Sequence, residues 1–115
     1  MIDNHINYIE FKTTDLEKTK HFYTSCFGWS FTDYGKMYAS FSDSNSGVNG
    51  GFEFTNEPIK NGALIVLYCE NLNKIKEKII AFGGKISKDI FSFPGGKRFQ
   101  FLDSSGNELA VWSDK

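Results

Sequence analysis

Two stretches of the chain repeat the same order of hydrophobic and polar positions. Each begins with an apolar segment typical of a β-strand, over residues 6–13 and 63–69. Each strand leads to a short polar residue, Asp15 or Asn71, of the kind that caps the start of a helix. The apolar positions that follow recur near the helical period: Leu16, Thr19, Phe22, Tyr23 and Cys26 in the first stretch, and Leu72, Ile75, Ile79 and Phe82 in the second. Glycines then end both segments, so the pattern predicts helices over 16–27 and 72–83.

Three more strands are predicted after each helix. They cover residues 29–33, 36–42 and 50–55 in the first half, and 85–92, 97–102 and 108–113 in the second. Asp15 and Asn71 lie 56 residues apart, and Gly28 and Gly84 share this offset. The prediction is therefore an α+β fold of two tandem βαβββ modules in a single domain, with module one at about 5–55 and module two at about 63–113. The alternative is one α+β sheet whose two helices match by chance.

Alternation along the first strand indicates a sheet that is covered on one side. Ile9 and Phe11 share one face, whereas Tyr8 and Glu10 share the other. We expect the apolar face to lie under the helices. The residues predicted to be buried there are Ile9, Phe11, Phe22, Ile75 and Ile79.

Composition narrows the possible partners. The chain has 115 residues, 40% of them hydrophobic and 17% aromatic, which is enough for a folded core. Its net charge of −1 and lack of a basic block argue against a nucleic-acid partner. No long apolar run and no apolar leader are present, so we expect no membrane partner and a cytoplasmic location. Cys26 and Cys69 show no CxxC spacing and are predicted to be reduced thiols.

Two motifs resemble a known superfamily. The segment DLEKTKHFY at 15–23, followed by FGW at 27–29, is similar to the opening of glyoxalase/bleomycin-resistance/dioxygenase proteins, the vicinal-oxygen-chelate superfamily. The segment FLDSSGN at 101–107 resembles the turn before the last strand of that family. The resemblance implies a curved mixed sheet that forms a cup, with the helices outside and a ligand inside.

The resemblance also locates the positions that bind a divalent metal in metal-dependent relatives. Those relatives place His or Gln on the first strand of each module and Glu on the last. Counting from the motifs puts Tyr8, Gly51, Leu64 and Ala110 at the four positions. None of them is a usual ligand for a catalytic metal, so we expect no metal and no other cofactor.

Other registers and other donors do not complete a metal site. A shift of two residues would bring Glu10 together with Glu53, but the second module would still supply only Leu64 or Val66 from its first strand. Two carboxylates alone make a poor metal site. His5 precedes the first strand and His21 lies opposite the apolar stripe of the first helix, so both are predicted to be solvated.

The predicted cup face has the makeup of a site for a small organic molecule. By alternation, this face includes Tyr8, Glu10, Glu53, Leu64, Val66, Tyr68, Ala110 and Trp112. On strand 97–102, Phe99 and Phe101 are predicted to pack beneath the sheet, and Arg98 and Gln100 to face the cup. Rings and apolar groups supply contact area, and a few polar groups set orientation. The candidate ligand-binding residues are Tyr8, Glu10, Glu53, Leu64, Tyr68, Arg98, Gln100 and Trp112.

Alternatives remain open for several of these aromatic and polar residues. Trp112 fits a core-sealing role, Arg98 fits neutralisation of a neighbouring acid, and Trp29 and Tyr38 fit either a rim or a subunit contact. Catalytic residues stay unknown, because a general base needs a positioned partner that a sequence does not reveal.

Three functions follow, in order of preference. The first is a small-molecule-binding protein of the bleomycin-resistance kind that uses no metal. The second is a metal-independent enzyme of lyase or isomerase type, with Glu10 or Glu53 as acid or base. The third is a metal-dependent lyase or dioxygenase. A homodimer is also expected, because the resemblance implies paired chains and the chain has an excess of aromatic residues.

Overall fold

A computed structural model describes residues 2–3 and 6–115, which fold as two compact units that meet in sequence between Pro58 and Ile59. The first unit contains β1 (Ile9–Thr13), α1 (Leu16–Phe27), β2 (Phe31–Asp33), β3 (Tyr38–Phe41), α2 (Asp43–Ser46) and β4 (Gly50–Phe54). Its four strands form a mixed sheet in the order β1-β4-β3-β2. In that sheet β1 runs parallel to β4, and the other neighbours are antiparallel.

The second unit repeats this layout. It contains β5 (Ile65–Tyr68), α3 (Leu72–Ala81), β6 (Lys85–Phe93), β7 (Gly96–Leu102) and β8 (Glu108–Ser113). The sheet order is β5-β8-β7-β6, with β5 parallel to β8 and antiparallel pairing elsewhere. The predicted α+β fold of tandem βαβββ modules is therefore confirmed.

Both long helices begin at the predicted caps. The side chains of Asp15 and Asn71 each accept a hydrogen bond at 3.0 Å, from the backbone N–H groups of Lys18 and Lys74. Such bonds satisfy N–H groups that the first turn of a helix leaves free. The first helix ends at Phe27 and is capped by Gly28, whose φ of 74° is left-handed and suits glycine. The duplicated cap thus fixes where each helix starts against its sheet.

Aromatic rings fill the core of the first unit. Tyr23 of α1 lies with its ring centroid 5.0 Å from that of Phe52 on β4 and 4.8 Å from that of Trp29. Phe11 stacks on Phe52 at 5.1 Å, and Trp29 lies 4.6 Å from Phe41. Because Trp29 is 5% exposed, it seals the core and does not form a rim.

Two local predictions were wrong. The first strand begins at Ile9, which is only half-buried, and Ile6 is largely exposed. Phe82 is 40% exposed, because α3 ends at Ala81 and the ring no longer belongs to the buried stripe. The segment 43–46, between two predicted strands, forms the one-turn helix α2.

The turn before the last strand is stabilised from within. Asp103 is buried, and its carboxylate accepts hydrogen bonds from the backbone N–H groups of Ser105 and Asn107 at 3.0 and 2.9 Å. The Asn107 side-chain amide donates a third bond to Asp103 at 3.0 Å. The FLDSSGN segment at 101–107 therefore stabilises the turn that leads into β8.

Both cysteines are free thiols, as predicted: Cys26 is buried and Cys69 is half-buried. Burial raises the pKa of the Cys69 thiol above its ordinary value. Among the residues that the structure describes, no helix is long and apolar enough to cross a membrane.

Candidate functional site

In each unit the long helix packs against one face of the sheet. The other face is not covered by that helix and is called the open face. In the first unit, Glu10 on β1 pairs with Gly51 on β4, and Gly51 pairs with Ser40 on β3. Paired residues share a face of a sheet, and residues two apart on a strand share it too. The open face of the first sheet is therefore formed by Tyr8, Glu10, Lys12, Tyr38, Ser40, Gly51 and Glu53.

A lysine lies between the two predicted acids of this face. The Lys12 Nζ is 3.4 Å from the Glu10 carboxylate and makes a shorter contact with the Glu53 carboxylate. The hydrogen bond to Glu53 raises the pKa of Lys12 above its ordinary value. Lys12 was missed by the sequence reasoning, although it stands two residues after Glu10 and the same alternation places it on this face. The structure thus does bring Glu10 and Glu53 together, around a cation that the chain itself supplies.

A pair of tyrosines lies beside these charges. The hydroxyl oxygens of Tyr8 and Tyr38 are 2.5 Å apart. Burial, followed by hydrogen bonds to Tyr8 and Glu10, raises the pKa of Tyr38 well above its ordinary value. The Tyr38 ring also covers Gly51, since a Cβ at residue 51 would stand 2.5 Å from the Tyr38 hydroxyl. Tyr38 therefore stays a neutral phenol at physiological pH and fills the space where a longer side chain would stand.

The residues at the four family positions do not fit a divalent metal. Gly51, Leu64 and Ala110 carry no donor atom, and the Tyr8 hydroxyl is hydrogen-bonded to Tyr38. Within residues 2–3 and 6–115, no group of three or more His, Cys, Asp and Glu side chains is placed to hold a metal ion. His21 lies exposed on α1, and His5 falls outside the described residues.

Aromatic rings dominate the open face of the second sheet. Trp112 on β8 pairs with Tyr68 on β5 and with Arg98 on β7. The Trp112 ring centroid is 5.2 Å from that of Tyr68 in an edge-to-face arrangement, and 6.3 Å from that of Phe93. Val66 and the buried Ala110 pair beside them, and Leu64 lies just before β5. Trp112 and Phe93 are half-buried, as in the apolar linings that hold small organic ligands, whereas Leu64, Val66 and Tyr68 are exposed.

Polar groups adjoin the aromatic wall. Gln100 donates a hydrogen bond of 3.2 Å to the Glu108 carboxylate, which also accepts one of 2.7 Å from Ser87. The Arg98 guanidinium lies over two rings, 5.2 Å from the Phe91 centroid and 6.0 Å from the Phe93 centroid. Arg98 and Gln100 thus share the open face, whereas Phe99 and Phe101 are fully buried on the other.

The sequence reasoning missed the contribution of β6 to this face. Lys88 pairs with Gln100 and Phe91 pairs with Arg98, so two residues three positions apart share one face. Irregular pairing between them makes this possible, because regular alternation would put them on opposite sides. Phe93 follows by ordinary alternation from Phe91. A bulge leaves little trace in a sequence, which explains the omission.

One end of the second open face is held by an ionised group. The Tyr68 hydroxyl donates a hydrogen bond of 2.6 Å to the Asp114 carboxylate. This bond raises the pKa of Tyr68 and lowers that of Asp114. The ring of Tyr68 is therefore oriented by a charged partner instead of swinging freely over the wall.

Two grooves in the fold contain none of the predicted ligand residues. One lies at the start of α1 and is lined by Thr14, Asp15, Leu16, Glu17, Asp33, Gly35, Lys36 and Phe54. The other lies at the start of α3, beside Asn71, Ile90 and Lys97. Both lie at strand-to-helix junctions, so they are separate from the open sheet faces.

Comparison with known proteins identifies a family whose sequence profile matches this chain. The sequence profile of the Glyoxalase/Bleomycin resistance protein/Dioxygenase superfamily matches residues 5–111. A Mycobacterium bovis protein named "putative glyoxylase" is 24% identical over 92% of the chain. The match covers only 44% of that relative, so this chain spans about half its length.

Solved structures share the fold. A family enzyme from Burkholderia phytofirmans matches with a TM-score of 0.80 at 15% identity, covering 95% of this chain and 98% of that one. A fosfomycin resistance protein from Listeria monocytogenes matches with a TM-score of 0.79 at 18% identity, covering 98% and 94%. At these identities the likeness concerns the fold alone.

Proposed function

Because the chain belongs to the Glyoxalase/Bleomycin resistance protein/Dioxygenase superfamily, we propose that it binds a small organic molecule on an open sheet face, without a catalytic metal. The observation that carries the proposal is the half-buried wall of Trp112, Phe91 and Phe93 beside Arg98. Such a wall offers ring surface for the body of a ligand and a few polar groups for its orientation.

Metal independence is the second part of the proposal. A metal ion must be held by several charged or imidazole donors at once to bind in competition with water. The family positions supply none, and the carboxylates of Glu10 and Glu53 already share the Lys12 ammonium. An added metal cation would have to displace the Lys12 ammonium, so Glu10 and Glu53 are poor candidates for metal ligands.

A metal-independent enzyme of lyase or isomerase type is the second candidate. The tyrosine pair and the Glu10–Lys12–Glu53 group on the first sheet favour it, since acid–base chemistry needs positioned polar groups. These groups are, however, mutually paired. Pairing holds the lysine protonated and the phenol neutral, so neither group serves as a general base at neutral pH. Binding therefore ranks above catalysis.

The binding proposal is tested with the two tryptophans of the chain, Trp29 and Trp112. In ¹H–¹⁵N correlation spectra, each indole N–H gives one signal, and a Trp29→Phe variant assigns that of Trp112. The protein is titrated with aromatic carboxylic acids, amides and alcohols of one and two rings. We expect saturable movement of the Trp112 signal, because this ring lies on the open face. The Trp29 signal, from the buried core, serves as the internal control.

Two outcomes would contradict the binding proposal. One is a panel in which no compound moves the Trp112 signal at millimolar concentration. The other is a panel whose hits move the Trp29 and Trp112 signals equally, as a ligand acting on general stability would.

The homodimer remains a prediction, and we propose it on the exposure of the first strand of the second unit. Leu64, Val66 and Tyr68 are 37%, 43% and 48% exposed and follow one another along a single face. Contiguous apolar surface of this kind is often covered by a partner chain. We expect sedimentation equilibrium at tens of micromolar to give twice the chain mass, and Val66→Lys to shift it towards a monomer. A monomeric wild type would refute the homodimer.

A further inference from the structure

Arg98 is the single arginine of the chain, and it lies on the open face of the second sheet. Arg98 is on β7, in the centre of that face. It pairs with Trp112 on the neighbouring strand β8 and with Phe91 on the neighbouring strand β6. A half-buried guanidinium at this point borders any molecule that lies against the aromatic wall.

The guanidinium of Arg98 makes few hydrogen bonds with the rest of the protein. Its Nη2 donates one long hydrogen bond of 3.5 Å to Gln100, and its Nε is buried without a hydrogen-bond partner. In the part of the chain that the structure describes, no carboxylate lies within 4.0 Å of it. The Glu108 carboxylate, which shares its face, is instead held by Ser87 and Gln100. Within the described residues, Arg98 therefore forms no direct ion pair with a neighbouring acid.

Leaving a half-buried guanidinium without an anion is costly, and its planar donors match a carboxylate or phosphonate bidentately. The guanidinium carbon lies over the rings of Phe91 and Phe93, and in the described part of the protein only Nη2 donates to a protein acceptor, so Nη donors remain for a ligand. A second cation adds to the field, since the Lys88 Nζ lies 4.3 Å from the Phe91 centroid and, within the described chain, makes no ion pair.

We propose that Arg98 is the anchor for an anionic ligand, and that the chain selects organic anions whose flat or apolar body lies on the Trp112 and Phe93 rings. This inference rests on the proposed binding function and narrows it to a substrate class. Neutral molecules of the same shape bind more weakly, because they leave the guanidinium unpaired.

The test compares 2-naphthoate with 2-naphthamide, which share shape and ring surface but differ in charge. Dissociation constants are measured from the Trp112 indole signal at fixed pH and salt. We expect wild type to bind the naphthoate roughly tenfold or more tightly than the amide. Arg98→Met keeps the apolar stem over the rings and is expected to remove this preference. Lys97→Met, which removes a charge from the opposite face of the same strand, is the matched control and is expected to keep the preference.

A measurement on the wild-type protein covers the case in which Arg98→Met fails to fold. Because the chain has one arginine, 1,2-cyclohexanedione gives a single arginine adduct that intact-mass spectrometry counts. We expect 2-naphthoate to slow this modification at concentrations where 2-naphthamide does not.

The outcomes separate the inference from the function on which it rests. Equal affinity for acid and amide, or a preference for the acid that persists in Arg98→Met, would overturn the anchor and leave binding intact. No response to either compound would overturn both.

Discussion

Gly50→Ala is expected to lower the free energy of unfolding by about 3 kcal/mol or more. A Cβ at this position would collide with the Ile9 carbonyl oxygen and with the Phe41 ring. The carbonyl belongs to the β1 backbone, which is fixed against β4, and the ring packs on Trp29. Neither can move without disturbing the strand pairing or the core. Urea denaturation followed by circular dichroism measures the loss.

Gly51→Ala is the matched control for this strand. Its Cβ would meet only the Tyr38 side chain, 2.5 Å from the hydroxyl and 2.7 Å from the ring. The outer end of a side chain can rotate away at a smaller cost than a backbone can shift. We therefore expect a loss of about 1 kcal/mol, largely relieved in a Gly51→Ala, Tyr38→Ala double variant. Equal losses for the two glycines would show that the β1–β4 contact is not the limiting one.

Phe52→Ala is expected to lower the free energy of unfolding by about 3–5 kcal/mol, the range for removing a buried aromatic ring. Phe52 is completely buried, and its ring lies about 5 Å from those of Phe11 and Tyr23, which belong to β1 and α1. Its loss removes a ring contact between the helix and the sheet. Thermal and urea unfolding measure the change.

Phe54→Ala controls for loss of a phenyl ring, because Phe54 is half-buried on the same strand. We expect Phe54→Ala to lower the free energy of unfolding by less than half as much as Phe52→Ala does. If the two variants lost equal stability, the aromatic cluster around Phe52 would not be the centre of the core.

The duplicated fold was predictable because its signals are local. A cap, a buried stripe and a glycine stop each act within a few residues, and Asp15 and Asn71 indeed begin both helices. The start of β1 was not predictable, since pairing with β4 begins only at Ile9, opposite Gly50, and the apolar Ile6 lies before it. The α2 turn was missed because Asp, Ser and Asn suit both a turn and a single helical turn.

The site was predictable only as far as regular alternation holds. Alternation placed Tyr8, Glu10, Glu53, Arg98 and Trp112 on their faces without knowledge of their partners. It did not reveal that Lys12 joins the two acids, since a contact across strands depends on register. Nor did it bring Lys88 and Phe91 together, because irregular pairing in β6 breaks the period.

The most direct measurement repeats the Trp112 titration on protein dialysed against a chelator, before and after one equivalent of Zn²⁺, Ni²⁺, Mn²⁺ or Fe²⁺. We expect less than a tenth of an equivalent of metal to survive dialysis, because Tyr8, Gly51, Leu64 and Ala110 do not supply metal ligands. We also expect the same dissociation constant for 2-naphthoate with and without added metal. A tightly held equivalent of metal per chain, or ligand binding that appears only with metal and is lost in Glu53→Gln, would contradict metal-independent binding.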